Sequence, residues 1–194
     1  MRKIPTLFVR DFSGDIPVMT SKVHPDCQWV VDGEGVATEK YDGSCCMLRG
    51  GFLYRRHSCK VGRIPPDGWV PAQPEPTEQG DWPGWVLVDF KNSSDKWHFD
   101  ALATLVANGI VLGDGTYELV GPRINGNPYG LTTHMLWRHG GDVLSSCPRS
   151  FTALMGWLRE LPMEGVVWHH EDGRMAKLKR RDFGYEWPKI RGSQ

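Results

Sequence analysis

The chain has 194 residues and 23 basic side chains matched by 23 acidic ones, so no whole-molecule field draws in nucleic acid; any such binding must come from local basic patches. Its five cysteines (Cys27, Cys45, Cys46, Cys59, Cys147) are odd in number and form no C-x-x-C pair, which argues against both a disulfide framework and a zinc site. No apolar run reaches the ~20 residues that span a bilayer, and Met1-Arg2-Lys3-Ile4-Pro5 lacks the apolar stretch of a signal peptide, so one cytoplasmic domain is expected.

Thr6 to Val9 reads as a short strand, and Gln28-Trp29-Val30-Val31 before Asp32-Gly33-Glu34-Gly35 reads as half of a hairpin. Val36-Ala37-Thr38-Glu39 leads as a strand into Lys40-Tyr41-Asp42-Gly43. Ser44 to Arg49 runs on, and Gly50-Gly51 turns the chain into Phe52-Leu53-Tyr54-Arg55. From Ile64 to Gly84 prolines and glycines dominate, which predicts a long loop packed by Trp69 and Trp82, with no helix or central strand inside it. Trp85 to Phe90 is the next strand. Asp95 to Ala107 carries apolar residues near the 3.6 period of an amphipathic helix, as does Phe151 to Leu161. Thr116 to Gly121 is β-forming, Arg123 to Leu131 is a structured loop, and Met163 to Lys179 is a hairpin turning at Glu171-Asp172-Gly173.

Four features carry chemistry. Lys40 is followed by Asp42 and Gly43; in extended chain Asp42 shares a face with Lys40, and glycine lets the backbone turn close to a ligand. A lysine amine has a free pKa of about 10.4 and becomes a nucleophile only when neighbours and burial lower it. On its own the string fits a surface turn with a solvated lysine equally well. Glu118 lies in an otherwise β-forming run, where a carboxylate must be paired, hydrogen-bonded or bound to a cation. Glu164 heads one strand of the last hairpin, and Lys177 and Lys179 share a face of the other with Met175. Arg55, Arg56, His57, Lys60 and Arg63 form the densest basic cluster of the first half, fit for a phosphate-facing patch or a solvated strand end. His134, His139, His169 and His170 have no carboxylate at metal-motif spacing and read as structural or surface residues. A nucleophilic amine, acids for a divalent cation and cations for a triphosphate are the parts that nucleotidyl transfer needs.

Lys40-Tyr41-Asp42-Gly43, Tyr117-Glu118-Leu119-Val120-Gly121, Glu164-Gly165-Val166-Val167 and Lys177-Leu178-Lys179 resemble, in order and spacing, motifs I, III, IV and V of the covalent nucleotidyltransferase superfamily. That superfamily comprises ATP-dependent DNA and RNA ligases and mRNA capping guanylyltransferases. Within it the chain is most similar to small ATP-dependent 5′-to-3′ RNA ligases without an OB domain. Further matching strings are Asp42-Gly43-Ser44-Cys45-Cys46, Pro83-Gly84-Trp85-Val86, Ile124 to Leu131, Glu164 to His169, and Phe183-Gly184 with Trp187-Pro188.

The resemblance implies an α+β nucleotidyltransferase domain over residues 1–194, its antiparallel sheets enclosing an ATP cleft with helices outside, and no OB domain. It implies an RNA ligase of the repair type: Lys40 takes AMP from ATP, AMP passes to a 5′-phosphate RNA end, and a 3′-hydroxyl displaces it. Lys177 and Lys179 would hold the α-phosphate and act catalytically with Lys40. Glu39 would meet the adenine edge, and Gly43 would line the nucleotide. Asp42 would orient Lys40 or a metal-bound water; Glu118 and Glu164 would support ribose contact or metal. Mg2+ or Mn2+ is the implied cation, with Asp42, Glu118 and Glu164 as candidate ligands. Arg55 or Arg56 would match the arginine after motif I, and RNA would meet Arg55, Arg56, Lys60, Arg180 and Arg181. Leu136-Trp137 lies where an adenine-stacking aromatic is sought, without a clear match. No obligate protein partner is implied. A DNA ligase, another end-capping nucleotidyltransferase or a non-catalytic nucleic-acid binding module of the same fold are the alternatives.

Overall fold

The structure is a computed structural model that describes residues 2–15 and 17–187; Met1 and Pro188 of the strings above lie outside them. It is an α+β fold of mostly antiparallel sheets and few helices. In chain order the strands begin with β1 (Phe8–Asp11), β2 (Val18–Val23), β3 (Val36–Lys40), β4 (Ser44–Arg49), β5 (Phe52–Lys60) and β6 (Val70–Pro71). They continue with β7 (Asp81–Leu87), β8 (Gly115–Val120), β9 (Met135–Arg138), β10 (Gly165–His169) and β11 (Met175–Lys179). The α-helices are α1 (Gln28–Val31), α2 (Lys96–Ala107) and α3 (Phe151–Glu160). None of the described helices is long and apolar enough to cross a membrane. The chain forms two compact units, passing from Ile4–Tyr41 into Asp42–His139 and back into Gly140–Pro188.

The unit made of the outer segments is built on the antiparallel sheet β11-β10-β3 and the ribbon β1-β2. Alternation sorts the three-stranded sheet. Ala37, Val166, Trp168, Ala176 and Leu178 point into a core with Leu7, Phe8, Leu154 and Leu158, while Thr38, Lys40, Val167, Lys177 and Lys179 lie on the other face. Burying each of these larger apolar side chains contributes about 1.5–3 kcal/mol. Helix α3 supplies the apolar stripe read from the sequence, with Phe151 edge-on to Phe8 at 5.0 Å.

Gln28 to Val31 is not a strand. The His24 ring accepts from the Asp26 amide at 3.2 Å, Pro25 starts a 3₁₀ turn, and α1 continues it. Trp29 and Val30 are both buried, which a helical turn allows and a strand with one solvated face does not.

The unit Asp42–His139 carries a six-stranded sheet in the order β6-β7-β5-β4-β8-β9, antiparallel throughout. Its core face (Cys46, Leu53, Tyr117, Leu119, Leu136) packs with Ala101 and Leu105 of α2. The expected loop from Ile64 to Gly84 yields a strand within its span. β7 starts at Asp81 and pairs with β5 on one side and β6 on the other. Pro83 lacks an amide, and its carbonyl accepts from Ala72 N at 2.9 Å. Gly84 is required there because a Cβ would sit 2.2 Å from the Trp69 indole. Trp69 and Trp82 meet edge-on at 5.2 Å, so the tryptophans do pack this segment.

Candidate active site

In the unit of the outer segments, Gly165 is the Cα partner of Lys40 on one side and of Lys179 on the other. The two lysines therefore flank the start of β10, and Glu164 lies between them. Glu164 Oε2 accepts from Lys40 Nζ at 2.6 Å and Oε1 from Lys179 Nζ at 2.6 Å. Lys40 Nζ also donates to the Tyr41 carbonyl at 3.2 Å. All three side chains are largely shielded, at 19%, 10% and 16% exposed for Lys40, Glu164 and Lys179. Burial first, then the Lys40 charge, holds Lys179 below the usual lysine range, with Glu164 opposing. Lys179 is fixed further by its amide, which donates to Asp182 Oδ2 at 2.8 Å. Lys177 lies two residues before Lys179 on the same face, opposite Val167 in register. This arrangement can hold a phosphate between cations and leaves a carboxylate within proton-transfer reach of an amine.

Beside it, Tyr41 Oη donates to Asp142 Oδ2 at 2.7 Å, and the Glu39 amide donates to the Asp142 carbonyl at 2.9 Å. Burial, and then the Asp142 charge, push the Glu39 carboxyl above its ordinary value. The Tyr41 hydroxyl is likewise pushed up, by burial first and then by Asp142. The face also carries Thr38, buried, with Oγ1 donating to the Val167 carbonyl at 3.2 Å and 3.0 Å from His169 Nε2.

In the Asp42–His139 unit, Asn125 Nδ2 donates to Asp42 Oδ1 at 2.7 Å and to the Gly43 carbonyl at 3.0 Å, while the Asp42 amide donates to Tyr129 Oη at 2.6 Å. Gly43 must be glycine because a Cβ would lie 2.2 Å from the Leu119 carbonyl and 2.7 Å from Glu118 Cγ. Glu118 is buried, and its Oε2 lies 2.7 Å from His139 Nε2. His139, which has no carboxylate at metal-motif spacing, thus gains one through the fold. The two are 21 positions apart and meet only through the β8–β9 pairing. His134 also has one, Asp100, at 2.5 Å.

The basic residues divide. Arg55 Nε forms a 2.9 Å ion pair with Asp95, which is fully buried. Arg56 lies over the Trp85 ring at 4.9 Å and is lowered from its ordinary value by burial. Lys60 is exposed and pairs with Asp81 at 2.5 Å. Arg180 closes the C-terminal end of α3, donating to the carbonyls of Leu158, Arg159 and Leu161. Arg181 is exposed.

Thus Lys40, Glu164 and Lys179 come together, as do Asp42 and Gly43 with Asn125. Sequence reasoning missed Asp142, Tyr129 and Asn125 as partners. Asn125 had a signal in its N-G step, and it adopts φ 46°; Asp142 had none. Tyr129 and Trp137 pack at 4.7 Å, so the Leu136-Trp137 pair supplies an aromatic to this unit.

Residues 110–192, which hold Glu118, Glu164, Lys177 and Lys179, match the family model for RNA ligase 1. The chain is similar to RNA ligase 1 of Pongo abelii, 28% identical over 222 aligned residues that cover 79% of this chain and 68% of that protein. It is 28% identical over 221 residues to RNA ligase 1 of Danio rerio, covering 78% and 68%, and 28% identical over 222 residues to that of Rattus norvegicus, covering 79% and 68%.

Proposed function

We propose, from its similarity to RNA ligase 1 proteins, that the chain is an ATP-dependent RNA ligase that joins a 5′-phosphate end to a 3′-hydroxyl end through lysyl-AMP, in RNA repair. Lys40 Nζ attacks the α-phosphorus of ATP; a nitrogen–phosphorus bond forms, the bond to the bridging oxygen breaks, and pyrophosphate leaves. The proton of the amine passes to Glu164 Oε2, which lies 2.6 Å away. The RNA 5′-phosphate then takes AMP from Lys40, and a 3′-hydroxyl attacks that phosphate and releases AMP. The single observation that supports this reading is the Lys40–Glu164–Lys179 arrangement.

Lys177 and Lys179 face the α-phosphate and neutralise its developing charge. Glu39 reads the adenine edge, Gly43 lines the nucleotide, and Glu118 meets the ribose. Asp42, Glu118 and Glu164 each carry carboxylate oxygens, the donor type that suits Mg2+ or Mn2+. Such an ion neutralises triphosphate charge and eases departure of pyrophosphate. Lys60, Arg56 and Arg181 are assigned to the RNA backbone. Arg55 and Arg180, engaged with Asp95 and with helix carbonyls, hold the elements that carry their neighbours.

The test is to incubate the protein with Mg2+ and ATP labelled on the α-phosphate, and resolve it on a denaturing gel beside Lys40→Ala. Label retained by the native chain and lost in the variant, followed by joining of 5′-phosphate RNA to 3′-hydroxyl RNA, is the expected result. No label with either Mg2+ or Mn2+ overturns the reading.

A further inference from the structure

The sheet face opposite the Cys46–Tyr117–Leu136 core carries a second cluster with its own chemistry. Cys45 and Glu118 are direct Cα partners across β4 and β8, and His139 follows β9, its amide bonded to the Thr116 carbonyl at 3.1 Å. Strand alternation therefore puts Cys45, Glu118 and His139 on one face. One ligand atom from each, the thiol sulfur, a carboxylate oxygen and an imidazole nitrogen, lie within 4.8 Å of one another. Glu118 is buried and the other two are half-buried. The His139 ring touches Glu118 through Nε2, while its Nδ1 is buried with no hydrogen-bond partner among the described residues. A buried nitrogen left in that state costs free energy, and a cation bound through Nδ1 would offset the cost while Nε2 stays on Glu118.

We propose that Cys45, Glu118 and His139 form a binding site for a soft or borderline divalent cation of the Zn2+ class, with the fourth position open to water or a small ligand. A thiolate, an imidazole and a carboxylate are the donors Zn2+ takes, at about 2.0–2.3 Å, and three protein ligands plus an open position is a recurrent zinc arrangement. The thiolate excludes Mg2+, which prefers oxygen alone. The donors stand on two paired strands and the first residue after a third, so the backbone holds them with little freedom to lose on binding. A C-x-x-C search along the sequence does not reach such a group, because the donors are contributed across strands rather than along one. The site rests on these three side chains and not on the ligase reading.

The experiment is titration of the chelator-treated, reduced protein with Co2+, followed by absorption spectroscopy and then displacement with Zn2+. The expected result is a thiolate-to-cobalt charge-transfer band at one equivalent that Zn2+ abolishes, with a melting temperature that rises with Zn2+ concentration. Cys45→Ser should abolish the band while Cys147→Ser, at another half-buried thiol, keeps it. His139→Asn should keep the sulfur band but weaken binding by about 10- to 100-fold or more, since even outer partners of a ligand cost that much. Absence of the band in the native chain, its survival in Cys45→Ser, or unchanged affinity in His139→Asn overturns the proposal. The Co2+ spectrum does not depend on lysyl-AMP formation, so failure of one reading leaves the other intact.

Discussion

Gly165 and Leu178 approach so closely across β10 and β11 that a Cβ on Gly165 would lie 2.2 Å from the Leu178 carbonyl oxygen and 2.8 Å from Lys179 Cα. The close approach is what brings Glu164 within hydrogen-bonding distance of Lys179. Gly165→Ala must push the strands apart, at a cost of about 1–3 kcal/mol by the usual range for overpacking. A lowered denaturation midpoint is the expected outcome, and on the ligase reading a loss of AMP labelling at Lys40 accompanies it. Unchanged stability would mean the strands yield without effect.

Glu164→Gln keeps the shape but leaves two shielded ammonium groups without a counter-charge. Its cost should reach about 1–3 kcal/mol, below that of a fully buried pair because the side chains retain some water contact. On the ligase reading, labelling of Lys40 should fall more steeply than stability does, because that reading makes Glu164 the proton acceptor. Single-turnover AMP transfer at matched folded fraction separates the two effects.

Arg55→Ala leaves Asp95 fully buried and stripped of its ion pair, and a broken buried pair costs about 3–5 kcal/mol. Urea denaturation should show this as a large shift in midpoint. Arg56→Ala, which removes a cation from above Trp85, should cost only about 0.5–2 kcal/mol. Equal losses would contradict the structural assignment of Arg55.

Arg180 and Arg181 are adjacent in sequence and should behave differently. Arg180→Ala removes charged donors from three carbonyls at the end of α3, so hydrogen exchange should speed up in its last turn and stability fall by about 1.5–3 kcal/mol. Arg181→Ala should leave the melting curve in place. On the ligase reading it reduces the salt slope of RNA binding by about one.

Glu39 fixes a pH dependence. Its carboxyl is raised in the folded chain, so the folded state binds the proton more tightly than the unfolded state. The penalty for keeping it charged is present above the folded pKa and is relieved as pH falls toward the ordinary value of 4.5. Glu39→Gln should therefore stabilise the protein at neutral pH, and its advantage should shrink on acidification through that window. Paired melts across the acidic range check the sign.

Local patterning determined much of this protein. The 3.6-residue periods gave α2 and α3, the D-G turn gave the last hairpin, and alternation put Lys177 and Lys179 on one face, because each is a property of a few consecutive residues. The ordered motif strings mark Lys40, Glu118 and Glu164 as candidates from the sequence alone. Only the tertiary structure decided what these residues touch. Glu164 meets Lys40 from 124 positions away, and Asp142 meets Tyr41 from 101. Arg55 is claimed by Asp95, and His139 by Glu118. Such contacts follow from strand register and close approach at glycines, which are set by the packing of whole sheets. The misreading of Gln28 to Val31 as a strand has the same origin: three consecutive apolar residues satisfy either period, and the turn at Pro25 with burial of both Trp29 and Val30 selected the helix.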